Sequence, residues 1–100
     1  MIANLGKDSV HMLWVYGELT QLERICAKSF IKNGFSLNIW TYGKDNINID
    51  GANIRDARNV LPESEIFLNQ AGSYAGFSDL FRYCVLSLYG GLYSDTDVIA

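Results

Sequence analysis

One hundred residues, 49% hydrophobic, 19% charged and with a single proline, describe one globular domain or part of one and exclude a disordered tail, a collagen-like repeat or a low-complexity linker. Eight basic residues against eleven acidic ones leave a net charge of −3, too little positive charge for a general nucleic-acid binder. The imbalance is concentrated: residues 61–100 hold five acidic residues and one basic residue, Arg82, so this last third repels anions or needs a cation.

Val10–Val15 is a short apolar run of strand length, buried on both faces as a parallel strand would be. Thr20 with Glu23 three residues later forms a capping-box signature, and Leu22, Ile25, Cys26 and Phe30 continue with helical spacing until Gly34 stops the helix after Asn33. Ser36–Tyr42 reads as a second strand, parallel to the first because the crossover is a helix. Gly43 to Asn53 is polar and reads as a loop. Ile54–Leu61 is a short strand or an irregular segment, and Glu63–Gln70 a short helix after Pro62. Ser78 is placed as the N-cap of a helix running to about Tyr89, with Asp79 in its first turn. Gly90-Gly91 ends that helix, Leu92-Tyr93-Ser94 re-enters a strand, and the strand finishes in Asp95-Thr96-Asp97. Alternating strands and helices imply an α/β domain with a parallel sheet covered by helices. The expectation is one domain over residues 1–100, incomplete, with an open sheet edge through which it could self-associate.

Asp95 and Asp97 project the same way from a strand while Thr96 points opposite. Two carboxylates so placed repel unless a cation relieves them, and hard oxygen ligands suit Mg²⁺ or Mn²⁺. A strand-end turn with two solvated aspartates is the plainer reading of the tripeptide alone. Asp79 and Arg82 lie three apart on the preceding helix, sharing a stripe with Leu86 and Tyr89 that draws the pair toward the packed side. They form either a helix salt bridge or a carboxylate and guanidinium turned toward hydroxyls and a phosphate.

Ser78-Asp79-Leu80-Phe81-Arg82-Tyr83, Leu86, Tyr89-Gly90-Gly91-Leu92-Tyr93 and Asp95-Thr96-Asp97 resemble the pattern S-D-x-x-R-Y-x-x-L-x-x-x-G-G-x-Y-x-D-x-D of the glycosyltransferases with a DXD-containing sugar-binding region, a group that includes capsular-polysaccharide and α-1,4-glycosyltransferases. Every fixed position is matched. Val10-His11-Met12-Leu13-Trp14 is similar to the family's I-P-K-I-I-H-x-x-W opening, although Asp8-Ser9 replaces its Pro-Lys element, and Trp40 is similar to the tryptophan that closes the family's second strand.

The resemblance implies a GT-A, Rossmann-like nucleotide-diphospho-sugar transferase fold, of which this chain is the N-terminal, donor-binding part. It implies a hexosyltransferase using Mn²⁺ or Mg²⁺ and a nucleotide-diphosphate sugar, a UDP-sugar ahead of GDP-mannose. The acceptor would be a glycan or lipid-linked acceptor in cell-surface polysaccharide synthesis. By carry-over, Asp97 and Asp95 are the metal and catalytic residues, and Asp95 also reaches the donor. Asp79 and Arg82 contact the transferred sugar or its diphosphate. Trp14, Val15 and Tyr16 flank the nucleobase, Trp14 being equally a core tryptophan.

The remaining candidates read as structural. His11, the only histidine, is a hydrogen-bonded core residue on a buried strand. Cys26 and Cys84 are small buried hydrophobes, Tyr74, Tyr83, Tyr89 and Tyr93 are core and rim aromatics, and Lys28 and Lys32 form a solvated helix face. No apolar run spans a membrane and no signal peptide precedes the first strand, so the expected location is cytoplasmic, peripheral to the inner face of the membrane at most. The competing readings are an inactive nucleotide-binding module that depends on a partner, and a phosphoryl-transfer domain. The latter lacks a glycine-rich phosphate loop.

Overall fold

The structure is a computed structural model that describes residues 8–15, 19–43, 47–68, 70, 72 and 74–95. In chain order its elements are β1 (Ser9–Trp14), α1 (Gln21–Lys32), β2 (Ser36–Thr41), β3 (Ala52–Asp56), α2 (Ala75–Tyr89) and β4 (Leu92–Tyr93), with single 3₁₀ turns at Ala57–Asn59 and Glu63–Glu65. The four strands form one parallel sheet in the order β3-β2-β1-β4, so the α/β expectation is borne out.

α1 begins at the capping box read from the sequence: the Thr20 N–H donates to Glu23 Oε1 at 3.2 Å and the two side chains are hydrogen-bonded in return. Its buried residues Cys26 and Ala27 pack with Val10, Met12, Leu37 and Ile39 on one face of the sheet. The other face carries Leu13, Val15, Trp40 and Tyr42 beneath Phe77, Phe81 and Val85 of α2. Because strand side chains alternate, β1 and β2 feed both layers at once, which is why both strands are buried at nearly every position.

Four stretches differ from the sequence expectations. β3 occupies Ala52–Asp56, starting inside the expected loop, and ends where the Asp56 carboxylate accepts the Arg58 N–H at 3.0 Å and turns the chain into a 3₁₀ turn. The expected helix at Glu63–Gln70 is reduced to Glu63–Glu65, since Ile66 leaves helical geometry (φ −65°, ψ 131°) and packs into the α2 layer instead. α2 starts at Ala75, three residues before the expected cap at Ser78. Its Tyr74 N-cap makes no side-chain cap bond, but the extra turn buries Phe77 completely, and burying a phenylalanine contributes about 1.5–3 kcal/mol against about 1 kcal/mol for a cap. Asp79 consequently lies beyond the first turn. Lastly, Cys84 is half-buried rather than buried.

α2 runs antiparallel to the strands. Its first turn meets the end of β2, with the Phe77 and Tyr42 rings 6.1 Å apart, and its last turn meets the start of β1, with the Tyr89 and His11 rings 6.3 Å apart. Gly90 (φ 71°, ψ −164°) and Gly91 (φ 87°) then reverse the chain into β4 through backbone conformations that L side chains rarely adopt.

Candidate functional site

The chain lays β1, β2 and β3 down in one direction across the sheet, then returns over the opposite face through α2 to place β4 on the free side of β1. β1 and β4 are therefore the neighbours between which the winding reverses. In open α/β sheets a ligand crevice forms outside the carboxyl ends of the strands at that point. The carboxyl ends here are Trp14, which ends β1, with Val15 after it, and Ser94 and Asp95 after β4. The β1–β4 ladder pairs His11 with Tyr93, and the Ser94 N–H extends it by donating to the His11 carbonyl at 3.0 Å.

Tyr93 is the hub of the crevice. Its half-buried side chain lies close enough to Ser78, Asp95, Arg82 and Asp79 for each to shift the phenol. Burial pushes the phenol up to about 12; the Ser78 hydroxyl lowers it, the Asp95 carboxylate raises it, Arg82 lowers it and Asp79 raises it. Residues of α2 and the Asp95 carboxylate after β4 thus act on the same phenol. Sequence reasoning left Tyr93 among the rim aromatics and Ser78 as a cap. The signal for Tyr93 was present, because it stands two residues before Asp95 in the strand pattern.

Asp79 and Arg82 do not sit on the packed stripe expected of them. The buried residues of α2 are Phe77, Phe81 and Val85, four apart, which turns the 79/82 pair aside. The Arg82 and Asp79 side chains are 45% and 70% exposed, with Nη2 and Oδ1 4.0 Å apart, so the pair is open to a ligand and weak as a salt bridge. Tyr83, expected in the core or rim, is 69% exposed, with the Arg82 guanidinium 5.5 Å from its ring centre. Arg82 is thus flanked by a carboxylate and a ring.

Asp95 is exposed at the β4 tip, and its backbone carbonyl takes the Cys26 thiol at 3.8 Å and the Ser94 hydroxyl at 2.9 Å, fixing the tip to α1. Trp14 and Val15 do not share a side: Trp14 packs with the α1 layer and Val15 is buried in the α2 layer. They cannot flank one base as a pair, and Val15 is 7% exposed. Tyr16, Thr96 and Asp97 lie outside the described residues.

No group of three or more His, Cys, Asp or Glu that could hold a metal ion occurs among the described residues. They offer one exposed carboxylate at the strand tip, Asp95, with Asp79 near the same phenol. These hard oxygens suit a divalent ion whose remaining positions are filled by phosphate and water, in the manner of Mg²⁺. The donors present fit such an ion in kind, and Asp97 would be needed to complete the protein's share.

His11 lies below the crevice, fully buried. Its Nδ1 accepts the Trp40 indole N–H at 2.9 Å, and its Nε2 faces the Gly90 carbonyl at 2.9 Å. An indole only donates and a carbonyl only accepts, so the ring is the neutral Nε2–H tautomer. Burial holds its pKa below 6.5; the Gly90 bond opposes this and the Arg55 charge adds to it. Alongside, Asn38 Oδ1 accepts from Arg55 Nε at 2.6 Å, and the Arg55 guanidinium sits 5.8 Å from the Trp40 ring centre. No buried side-chain nitrogen or oxygen among the described residues lacks a partner.

Comparison with known proteins adds the family. Residues 20–100 match the family model described as a glycosyltransferase sugar-binding region containing a DXD motif. An uncharacterized glycosyltransferase, L373, of Acanthamoeba polyphaga mimivirus is 29% identical over 107 residues, an alignment that covers 99% of this chain and 37% of the relative. The chain therefore spans well under half the length of that protein. No solved structure matches the chain.

Proposed function

The chain belongs to the glycosyltransferases whose sugar-binding region contains the DXD motif, and within that family we propose that its 100 residues form the donor-binding unit of a divalent-metal-dependent hexosyltransferase. The parallel four-stranded sheet with a helix on each face fits a GT-A-like nucleotide-sugar transferase. The observation that carries the reading is that α2, bearing the exposed Asp79–Arg82 pair, leads through Gly90-Gly91 into β4, whose tip presents Asp95 beside the switch between β1 and β4.

In this reading Asp95 and Asp97 hold Mn²⁺ or Mg²⁺, and the bound ion supplies Lewis-acid stabilisation of the negative charge that grows on the departing diphosphate. Arg82 donates to a diphosphate oxygen or a sugar hydroxyl. Asp79 accepts from sugar hydroxyls and keeps Arg82 turned outward. Tyr93, un-ionised at any physiological pH, packs against the α2-side core beneath the donor. Of the nucleobase-flanking set, Trp14 is the half-buried member at the β1 end, and Tyr16 is assigned with it by resemblance. The donor is a UDP-sugar in preference to GDP-mannose, because the family resemblance points there. The product is a cell-surface polysaccharide of the capsular or α-1,4-linked kind, built on a glycan or lipid-linked acceptor at the inner face of the membrane. No described helix is long and apolar enough to cross a membrane.

A second reading is favoured by the sheet edge: β4 is paired on one side only among the described residues, and Leu92 on it is 52% exposed. In that reading the chain binds nucleotide but needs a further strand, from another copy or another chain, before it transfers sugar. Calorimetric titration with UDP and GDP, with and without Mn²⁺, tests both. Metal-dependent UDP binding that is lost in Asp95→Ala and Asp97→Ala supports the donor site. Equal binding with and without metal contradicts it. Binding without turnover, when donor and acceptors are supplied, favours the second reading.

A further inference from the structure

We propose that His11 is a positioning residue for this donor site: its imidazole clamps the Gly90–Gly91 turn to β1 and so sets the height at which β4 presents Asp95. The proposal rests on the donor-site reading above. It starts from where the ring's two nitrogens go. Nε2 donates to the carbonyl of Gly90, the residue that turns α2 into β4, at 2.9 Å across 79 positions of sequence. Nδ1 is pinned by the Trp40 indole of β2 at 2.9 Å, which fixes the ring's rotation and its tautomer. The same residue's backbone carbonyl takes the Ser94 N–H at 3.0 Å, immediately before Asp95.

One residue of β1 therefore holds both ends of the two-residue strand β4: its side chain holds the turn before it and its backbone the residue after it. The need for such a clamp is geometric. Gly90 and Gly91 both have positive φ and the widest conformational freedom of any residue, and β4 pairs with β1 at only two positions, Val10–Leu92 and His11–Tyr93. A strand so short, entered through two glycines, needs a tie that is neither ladder nor loop. Tyr93, the phenol at the hub of the crevice, is the residue paired with His11.

The test separates the clamp from bulk. An asparagine amide can reach the Nδ1 position and keep the Trp40 bond, whereas a glutamine amide can reach the Nε2 position and keep the Gly90 bond. In His11→Asn, Mn²⁺·UDP binding should weaken roughly 10- to 100-fold, the size of effect that follows loss of a group orienting metal ligands. Hydrogen exchange at the Ser94 amide should accelerate in the same protein. His11→Gln should stay close to wild type in both measurements. Wild-type affinity in His11→Asn, or equal losses in the two variants, overturns the proposal, since the ring would then only fill space. Should the wild type itself bind no Mn²⁺·UDP, the donor reading falls, and Ser94 exchange decides the clamp alone: unchanged exchange in His11→Asn overturns it.

Discussion

The two faces of the sheet are made of different material. The buried core of the α1 face is aliphatic: Val10, Met12, Leu37 and Ile39 meet Cys26 and Ala27 with no buried charge between them, and its aromatics, Trp14, Phe30 and Phe35, stay half-buried at the margin. The α2 face is aromatic and polar, with Trp40, Tyr42, Phe77, Phe81, Tyr89 and Tyr93 interleaved with His11, Asn38 and Arg55. Every described residue that acts on the crevice phenol, Ser78, Asp79, Arg82 and Asp95, comes from α2 or from the strand that α2 leads into. One face supplies cohesion, and the other spends part of its surface on holding a site in place.

That contrast can be broken from either side. The largest effect expected is on the cohesive face. Leu37→Ala, fully buried against α1, should lower unfolding stability by about 2–5 kcal/mol, read by urea denaturation, while the folded fraction binds Mn²⁺·UDP as before. A parallel loss of affinity per folded molecule would mean the faces are not separable. On the other side, Arg82→Ala should weaken Mn²⁺·UDP binding roughly tenfold, about 1.4 kcal/mol, and leave stability within about 0.5 kcal/mol. Its only described ion pair is 4.0 Å long and exposed, so a collapsed fold would show the residue to be structural.

Two titrations sharpen the comparison, both on the α2 face. The folded His11 pKa lies below its ordinary 6.5, so the unfolded chain takes up the proton first. Stability is full above about pH 6.5 and declines as pH falls from there toward the folded value, so the urea midpoint should be lower at pH 5.5 than at pH 7.5, and His11→Gln should flatten the difference. Tyr93 works in the opposite sense. Its folded pKa is raised to about 12, so its contribution is complete below pH 10 and is lost as pH rises through 12. Ultraviolet titration of the phenols should show a late phase near pH 12 that is missing from Tyr93→Phe.

Much of this was legible in the sequence, for local reasons. The Thr20–Glu23 box marked the start of α1, and Gly90-Gly91 marked the end of α2, because caps and glycine turns act within a few residues. The parallel pairing of β1 and β2 followed from the helix between them. What was not legible depended on distant partners. α2 begins at Ala75 because Phe77 finds a buried place beside Tyr42 and Phe67, and Asp79 and Arg82 face outward because Phe77, Phe81 and Val85 choose the stripe. Trp14 and Val15 were grouped through the family resemblance, yet the pleat sends them to opposite layers. The tie from His11 to Gly90 joins residues 79 positions apart and leaves no mark in either local pattern.

Paramagnetic broadening by Mn²⁺ in the amide spectrum, recorded with UDP present, tests the central claim most directly. The account predicts that Tyr93, Ser94 and Asp95 broaden first, that α2 residues near Asp79 follow, and that Lys32 at the end of α1 and Ser36 at the amino end of β2, away from the carboxyl ends of the strands, stay sharp. Broadening centred on Asp56 and Glu63 instead, or unchanged by removing UDP and by Asp95→Ala, would contradict it.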